Sequence, residues 1–186
     1  MLLCLTLLLS LPIFAQDIFT AIQDNDVAGV KFLLSRGANV NVKDAQGNTP
    51  LIEAVKNGQD RVVKLILQKD VDVDLKDKSG NTALILACQS GHADAVCYLL
   101  CHYPKIDVKN RKGTTALIAA VTAGNAEIVG SLLAHGAKAD MKDKQNKAAV
   151  DYARSLNNAE ILGLLNRNTL AATKDADQQA TDRGNN

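Results

Sequence analysis

Cysteine and histidine side chains cluster in one short stretch of this sequence and are its best candidates for metal or redox chemistry. Cys97 and Cys101 are four residues apart, which puts both thiols on one face of a helix but gives poor geometry for a disulfide between them. With His102 they could bind a soft metal ion, yet a zinc site needs four ligands at characteristic spacings and no fourth is apparent. We therefore predict no metal and no cofactor. A redox or intermolecular role for Cys97 or Cys101 stays open, whereas Cys88 is expected to pack in the core.

The histidines do not complete a catalytic arrangement. A catalytic serine needs a base and an orienting acid, and the available bases are His92, His102 and His135. His102 and His135 fall at predicted helix ends, where a cation suits the helix dipole, and His92 follows a helix-ending glycine. The sequence contains no nucleophile elbow, phosphate-binding loop or metalloprotease motif. We predict that the protein is not an enzyme.

The elements that carry these residues repeat along the chain. A shift of 33 residues superimposes the segments 44–67, 77–100 and 110–133. The positions in register include a threonine that can cap a helix, a leucine, a small alanine and a glycine that can end a helix. They are Thr49, Thr82 and Thr115; Leu51, Leu84 and Leu117; Ala54, Ala87 and Ala120; and Gly58, Gly91 and Gly124. Each unit therefore predicts two short helices, with Pro50 at the first position of one of them.

The shared core of the units reads TPLIEA at 49–54, TALILA at 82–87 and TALIAA at 115–120. It resembles the T-P-L-H-x-A core of ankyrin repeats, and the resemblance covers roughly residues 17–166. It implies an all-α solenoid of paired antiparallel helices with projecting β-turn fingers, made of three internal repeats and two capping repeats. The repeats are expected at about 16–43, 44–76, 77–109, 110–142 and 143–166.

The sequence departs from the ankyrin pattern at two kinds of position. The histidine of the core is replaced by Ile52, Ile85 and Ile118, so the hydrogen bond that it normally makes between neighbouring turns must be absent or made otherwise. The glycine that should follow the second helix is Asp70 in one repeat and Tyr103 in the next. We expect irregular turns at those two helix ends.

The two ends of the chain differ from the repeats. Residues 1–15 form an uncharged apolar run that ends in small Ala15, which predicts a secretory signal peptide and a periplasmic or secreted protein. The run is too short to cross a bilayer of about 30 Å as a helix, so the alternatives are an uncleaved membrane-surface anchor or an extra solenoid helix. Residues 167–186 are polar and predict a flexible tail.

Charge is balanced overall and concentrated locally. A net charge of +1 provides no field that would steer the protein toward nucleic acid or an anionic membrane, and nucleic acid is further disfavoured by the lack of interleaved aromatic residues. The predicted fingers carry cations at matching offsets, with aspartates between them. The cations are Lys43, Lys76, Lys78, Lys109, Arg111, Lys112, Lys142, Lys144 and Lys147. This strip is either a solvated rim or a surface for an acidic partner.

A solenoid of this kind presents a concave surface made of fingers and first helices, which by resemblance binds proteins. The candidate contact residues vary between repeats and are expected to point outward. They are Gln46, Asn48, Lys56, Asn57, Lys78, Ser79, Asn81, Gln89, Ser90, Arg111, Lys112, Thr114, Thr122, Lys144 and Lys147. We expect a scaffold, an inhibitor or an immunity-type binder, monomeric outside its complex. The alternative is a redox-linked accessory protein that holds a client enzyme and uses Cys97 or Cys101 as a reactive thiol.

Overall fold

The computed structural model of the protein describes residues 17–168, which form helices and turns without a strand. Nine helices have the following bounds, in chain order. They are α1 (Ile18–Gln23), α2 (Val27–Ser35), α3 (Pro50–Lys56), α4 (Asp60–Leu67), α5 (Ala83–Ser90), α6 (Ala93–Leu100), α7 (Ala116–Thr122), α8 (Ala126–Ala134) and α9 (Ala149–Ser155). A further helix, α10, covers 159–168.

The helices pack as two layers. Each first helix contacts the second helix of its own repeat, as α3 does with α4, and also stacks on the first helix of the next repeat. The odd-numbered helices α1 to α9 form one layer, and the even-numbered helices α2 to α8 form the other. Leu51, Ile66 and Leu99 are completely buried between the layers, where burial of a large apolar side chain contributes about 2 kcal/mol. This arrangement confirms the predicted all-α solenoid.

The first helices begin at the threonines of the repeat. The Oγ1 atom of Thr49 accepts a hydrogen bond from the Ile52 amide at 3.2 Å, and Thr82 and Thr115 accept equivalent bonds at 3.4 and 3.3 Å. Such a cap stabilises a helix by about 1 kcal/mol. At the other end of α5, Gly91 adopts a left-handed conformation with φ of 73°. Both the predicted starts and the predicted glycine ends are confirmed.

The two second helices that lack glycine end in different ways. After α6, Tyr103 takes the left-handed conformation itself, with φ of 50°. After α4 the chain turns at Asp70 without a positive φ, by a hydrogen bond of 2.8 Å from the Val71 amide to the Lys69 carbonyl. The predicted irregular turns are therefore present.

The ends of the chain are described only in part. The predicted signal peptide at 1–15 lies outside the described residues, as does the predicted flexible tail from residue 169 onward. Residues 167 and 168 continue α10, so the described helix runs two residues past the predicted end of the repeats. Within residues 17–168, no helix is both long and apolar enough to cross a membrane.

Candidate protein-binding surface

The fingers are tight turns that an acidic or amide side chain organises from within. In the second finger the Asp77 carboxylate accepts hydrogen bonds from the amides of Ser79 and Asn81, each at 2.8 Å. In the third finger the Asn110 side chain accepts the equivalent bonds, each at 2.9 Å. These side chains fold back on their own turns, as short polar groups do at such positions. The aspartates between the cations therefore serve the turns in part.

The second, third and fourth fingers are joined in turn by backbone hydrogen bonds. The Arg111 amide donates to the Ser79 carbonyl, and the Lys144 amide donates to the Lys112 carbonyl, each at 3.0 Å. The isoleucine at the histidine position, such as Ile85, is buried and contributes to the core. Backbone groups therefore make the connection between turns that the core histidine would otherwise make. This is one of the two outcomes expected from the sequence.

A row of lysine side chains, which we call the lysine ladder, also connects the fingers. The Lys43 ammonium donates to the Lys76 carbonyl at 2.8 Å, Lys76 donates to Lys109 at 3.3 Å, and Lys109 donates to Lys142 at 2.7 Å. A charged donor strengthens such a bond, although exposure to water reduces its net contribution. These three lysines therefore have a structural role, and the predicted basic strip divides into the ladder and a second set of cations.

Three cations of this second set, Lys78, Arg111 and Lys112, border a groove of about 510 Å³ between the fingers and the first helices. The groove is lined by Lys78, Ser79, Asn81, Gln89, Asn110, Arg111, Lys112, Thr114, Ile118, Ala119, Thr122, Ala123 and Tyr152. Three of these side chains are cationic and none is a carboxylate. The ion pairs Lys56–Glu53, Lys105–Asp74 and Arg154–Asp151 of the described residues do not involve Lys78, Arg111 or Lys112. The groove therefore presents positive charge around an uncharged floor.

The groove brings together eight of the fifteen predicted contact residues, from Lys78 to Thr122. The floor residues Ile118, Ala119 and Ala123, the turn residue Asn110 and the aromatic Tyr152 were missed. Tyr152 lies 33 residues after Ala119, so the repeat register was a signal that could have identified it.

Asn48 is a wrong prediction, because it does not point outward. Its side chain is only 4% exposed, and its amide donates to Asp44 Oδ2 at 3.2 Å and to Glu53 Oε2 at 3.0 Å. Asn48 thus joins the first finger to α3. Asn81 is half-buried and accepts a hydrogen bond of 2.8 Å from the Asn110 side chain, yet it still lines the groove.

The other predicted contact residues are exposed but do not line the groove. They are Gln46, Lys56, Asn57, Ser90, Lys144 and Lys147. Lys56 forms an ion pair of 3.6 Å with Glu53. Asn57 lines a separate recess of about 700 Å³ at the bends of the N-terminal repeats, which also contains Asp60 and Arg61 and so has mixed charge.

Tyr152 lines the groove and is hydrogen-bonded to the last finger. Its hydroxyl donates to Asp143 Oδ2, and this bond raises the pKa of Tyr152. Desolvation raises the pKa of Asp143, but the hydrogen bonds from Tyr152 and from the amides of Lys147 and Gln145 outweigh that effect and lower it. The Lys147 ammonium lies 5.6 Å from the centre of the Tyr152 ring. The aromatic ring is therefore held in a fixed position.

The cysteines lie in two different environments. Cys88 is buried in α5, and burial raises its pKa to about 12, so it stays a neutral thiol. Cys97 on α6 and Cys101, the residue directly after α6, are free and exposed. Among residues 17–168, no group of three or more His, Cys, Asp or Glu side chains is placed to hold a metal ion.

Comparison with known proteins agrees with the repeat pattern. A family model of ankyrin repeats in three copies matches residues 18–110, and one of ankyrin repeats in many copies matches residues 102–153. A comparison with curated proteins found no match. Proteins built from such repeats are generally non-catalytic and mediate protein–protein interaction. The chain belongs to the ankyrin repeat family.

Proposed function

We propose that the protein binds an acidic surface of another protein in the groove between its fingers and first helices. The observation that carries this proposal is the charge of the lining, which includes Lys78, Arg111 and Lys112 and no carboxylate. Complementary charge speeds encounter and excludes wrong partners more than it raises affinity. A partner with exposed aspartate or glutamate side chains fits this surface best.

Affinity would come from the floor of the groove. Tyr152 and Ala123 offer aromatic and apolar area between polar rims, which is the usual composition of an energetically important contact, whereas Ile118 and Ala119 are only 2% and 5% exposed and contribute little area. The fingers that border the groove are joined by a backbone hydrogen bond from Arg111 to Ser79. Because little of the surface has to be ordered on binding, the entropic cost of association is reduced.

Three roles are compatible with such binding, and the activity of the partner separates them. A scaffold leaves the activity of its partner unchanged. An inhibitor or an immunity-type binder lowers the activity of an enzyme or toxin in proportion to the fraction bound. In each case we expect the protein to be a monomer outside its complex, which light scattering would measure.

We further propose that the protein acts in the periplasm or outside the cell. The apolar run at 1–15 and the small Ala15 at its end support cleavage after residue 15. Mass spectrometry of the protein from envelope and medium fractions would then find Gln16 at the N-terminus. An uncleaved chain in the membrane fraction would favour a surface anchor instead.

The test of the binding proposal is affinity capture from envelope and medium fractions with two matched baits. The first carries Lys78→Glu, Arg111→Glu and Lys112→Glu, all exposed, all lining the groove and all outside the lysine ladder. The control carries the same number of reversals at exposed lysines elsewhere, as Lys31→Glu, Lys69→Glu and Lys138→Glu. A partner retained by wild type and control but lost from the first variant supports the groove. Equal retention by all three baits contradicts it.

The second candidate function is a thiol-dependent accessory to a client enzyme, and the exposure of Cys97 and Cys101 supports it. Under this proposal the repeats hold the client and an exposed thiol reacts. Cys97→Ser with Cys101→Ser would abolish protection of the client under oxidant stress and leave binding intact. Unchanged protection in this variant would remove the candidate.

A further inference from the structure

We propose that Cys97 and Cys101 form a two-thiolate site for a soft monovalent metal ion, Cu(I), at the exposed C-terminal end of α6, where Cys101 is the helix C-cap and keeps a helical backbone conformation. The site lies on a second helix, whereas the proposed protein-binding groove lies between the fingers and the first helices. A test that contradicts one of these two proposals therefore leaves the other unaffected.

The fold does not require cysteine at either position. In the repeat register, Cys97 corresponds to Lys31, Lys64 and Gly130, and Cys101 corresponds to Ser35, Gln68 and Ala134. These are charged, polar or small residues, and both cysteines are exposed. Neither thiol is needed for packing. Cys88 differs, since it is completely buried in the core.

The spacing of the two thiols selects a bridging ion over a disulfide. Residues four apart on a helix have Cβ atoms about 5–6 Å apart, whereas a disulfide needs about 3.5–4.5 Å. With metal–sulfur bonds of about 2.3 Å, two sulfurs on opposite sides of an ion lie about 4.6 Å apart. Two exposed side chains that lean slightly toward each other reach this separation without distorting α6.

The neighbouring histidine does not add a third ligand. The Nδ1 atom of His102 lies 2.8 Å from the Tyr98 carbonyl oxygen, and its Nε2 atom lies 3.0 Å from the Leu67 carbonyl oxygen. Both ring nitrogens thus face backbone acceptors. A two-ligand site does not satisfy Zn²⁺, which prefers four, whereas soft thiolates select Cu(I).

Binding requires no oxidant. Each thiol releases one proton, each sulfur donates an electron pair to Cu(I), and the oxidation states of copper and sulfur do not change. The product carries one negative charge. Lys64 supplies a cation at the matching position of α4, which packs beside α6, and its ammonium lies 5.6 Å from the centre of the Tyr98 ring. The positive charge of Lys64 is opposite in sign to that of the bound complex, so the two attract.

The experiment is a Cu(I) titration of the reduced full-length chain under anaerobic conditions, against a chromogenic Cu(I) chelator. Every protein carries Cys4→Ser, so that the thiols of the repeats are the only ones present. We expect one Cu(I) per chain, a monomer after loading, and two sulfur neighbours by X-ray absorption. Cys97→Ser and Cys101→Ser should each abolish this binding, and Cys88→Ala should leave it unchanged.

A transplanted pair tests whether the spacing is sufficient. Lys64→Cys with Gln68→Cys, introduced into the Cys97→Ser, Cys101→Ser chain, places two thiols at the same positions of α4. This variant should recover one Cu(I) per chain. The proposal is overturned if the single serine variants keep the ion, if one ion links two chains, or if the transplanted pair stays empty.

Discussion

The first finger and the last two fingers are built from the same repeat but differ in packing and in charge. A Cβ atom placed on Gly47 would lie 3.1 Å from the Lys78 amide nitrogen, whereas one on Gly113 would lie 2.7 Å from the Lys144 amide nitrogen. The first turn, at 44–47, has no cation, and the third turn has Arg111 and Lys112. Packing is therefore closest where the positive charge is concentrated.

The first helices differ between the same two regions. One register position, which faces the fingers, is Glu53 in α3 and Tyr152 in α9. In the first region Asn48 bridges Asp44 and Glu53, and in the last region Tyr152 donates directly to Asp143. The repeat thus fixes where a side chain lies, whereas the residue at that place decides what the surface can bind.

The largest effect is expected where the fingers are closest. Gly113→Ala should lower the free energy of unfolding by about 3 kcal/mol, because it adds a backbone clash to the cost of a left-handed side chain. Gly37→Ala is the matched control, since Gly37 has φ of 82° and no atom within 4 Å of the added Cβ. Gly37→Ala should lower the free energy of unfolding by only about 1 kcal/mol. Urea unfolding measures the free energy of unfolding of both variants. Equal decreases in the two variants would contradict the difference in packing between fingers.

The bridge in the first region gives the next effect. Asn48→Ala should lower the free energy of unfolding by about 2 kcal/mol, because it leaves the buried end of Glu53 without its amide donor. Partner capture should not change, since Asn48 is buried. Thermal unfolding measures the loss of stability, and affinity capture measures partner binding. Loss of capture with unchanged stability would show that Asn48 contacts the partner.

The corresponding contact in the last region should contribute less. Tyr152→Phe should lower the free energy of unfolding by about 1 kcal/mol. The lowered pKa of Asp143 contributes stability that is present above its ordinary value of 3.8 and is lost as the pH falls through the lower folded value. The variant should therefore have a weaker acid dependence than the wild type. If the free energies of unfolding of the variant and the wild type change identically from pH 2 to pH 6, the hydrogen bond between Tyr152 and Asp143 does not contribute to the acid dependence.

The smallest effect concerns charge in the first region. Glu53→Gln should tighten binding of an acidic partner by about threefold, the size expected for one partly exposed charge. The measurement is a Kd at low and high salt, and the difference should vanish at high salt. Weaker binding of the variant would mean that Glu53 itself contacts the partner.

The repeat and its helix caps could be predicted from sequence because their causes are local. A threonine accepts a bond from an amide three residues away, so Thr49, Thr82 and Thr115 carry their structural role in the sequence itself. The spacing of Cys97 and Cys101 likewise placed both thiols on one face. Whether that face is buried or exposed depends on the packing of α6 against its neighbours.

The missed features depend on contacts between repeats. The sequence does not distinguish the three bonded lysines of the ladder from the other cations of the strip, because their acceptors are backbone carbonyls one repeat away. The sequence does not indicate that Asn48 is buried, because its contact with Glu53 forms only when the first finger packs against α3. Tyr152 was overlooked since it belongs to a capping repeat, where the core motif is weak.

The lysine ladder has a direction, because every bonded lysine donates to the repeat that follows it. A copied unit inserted before the C-terminal cap would bring both a donor for the next repeat and an acceptor for the previous one. Among the described residues, Lys142 has no later finger to reach. The solenoid can therefore lengthen or shorten by whole units during evolution while each new junction already contains its hydrogen bond.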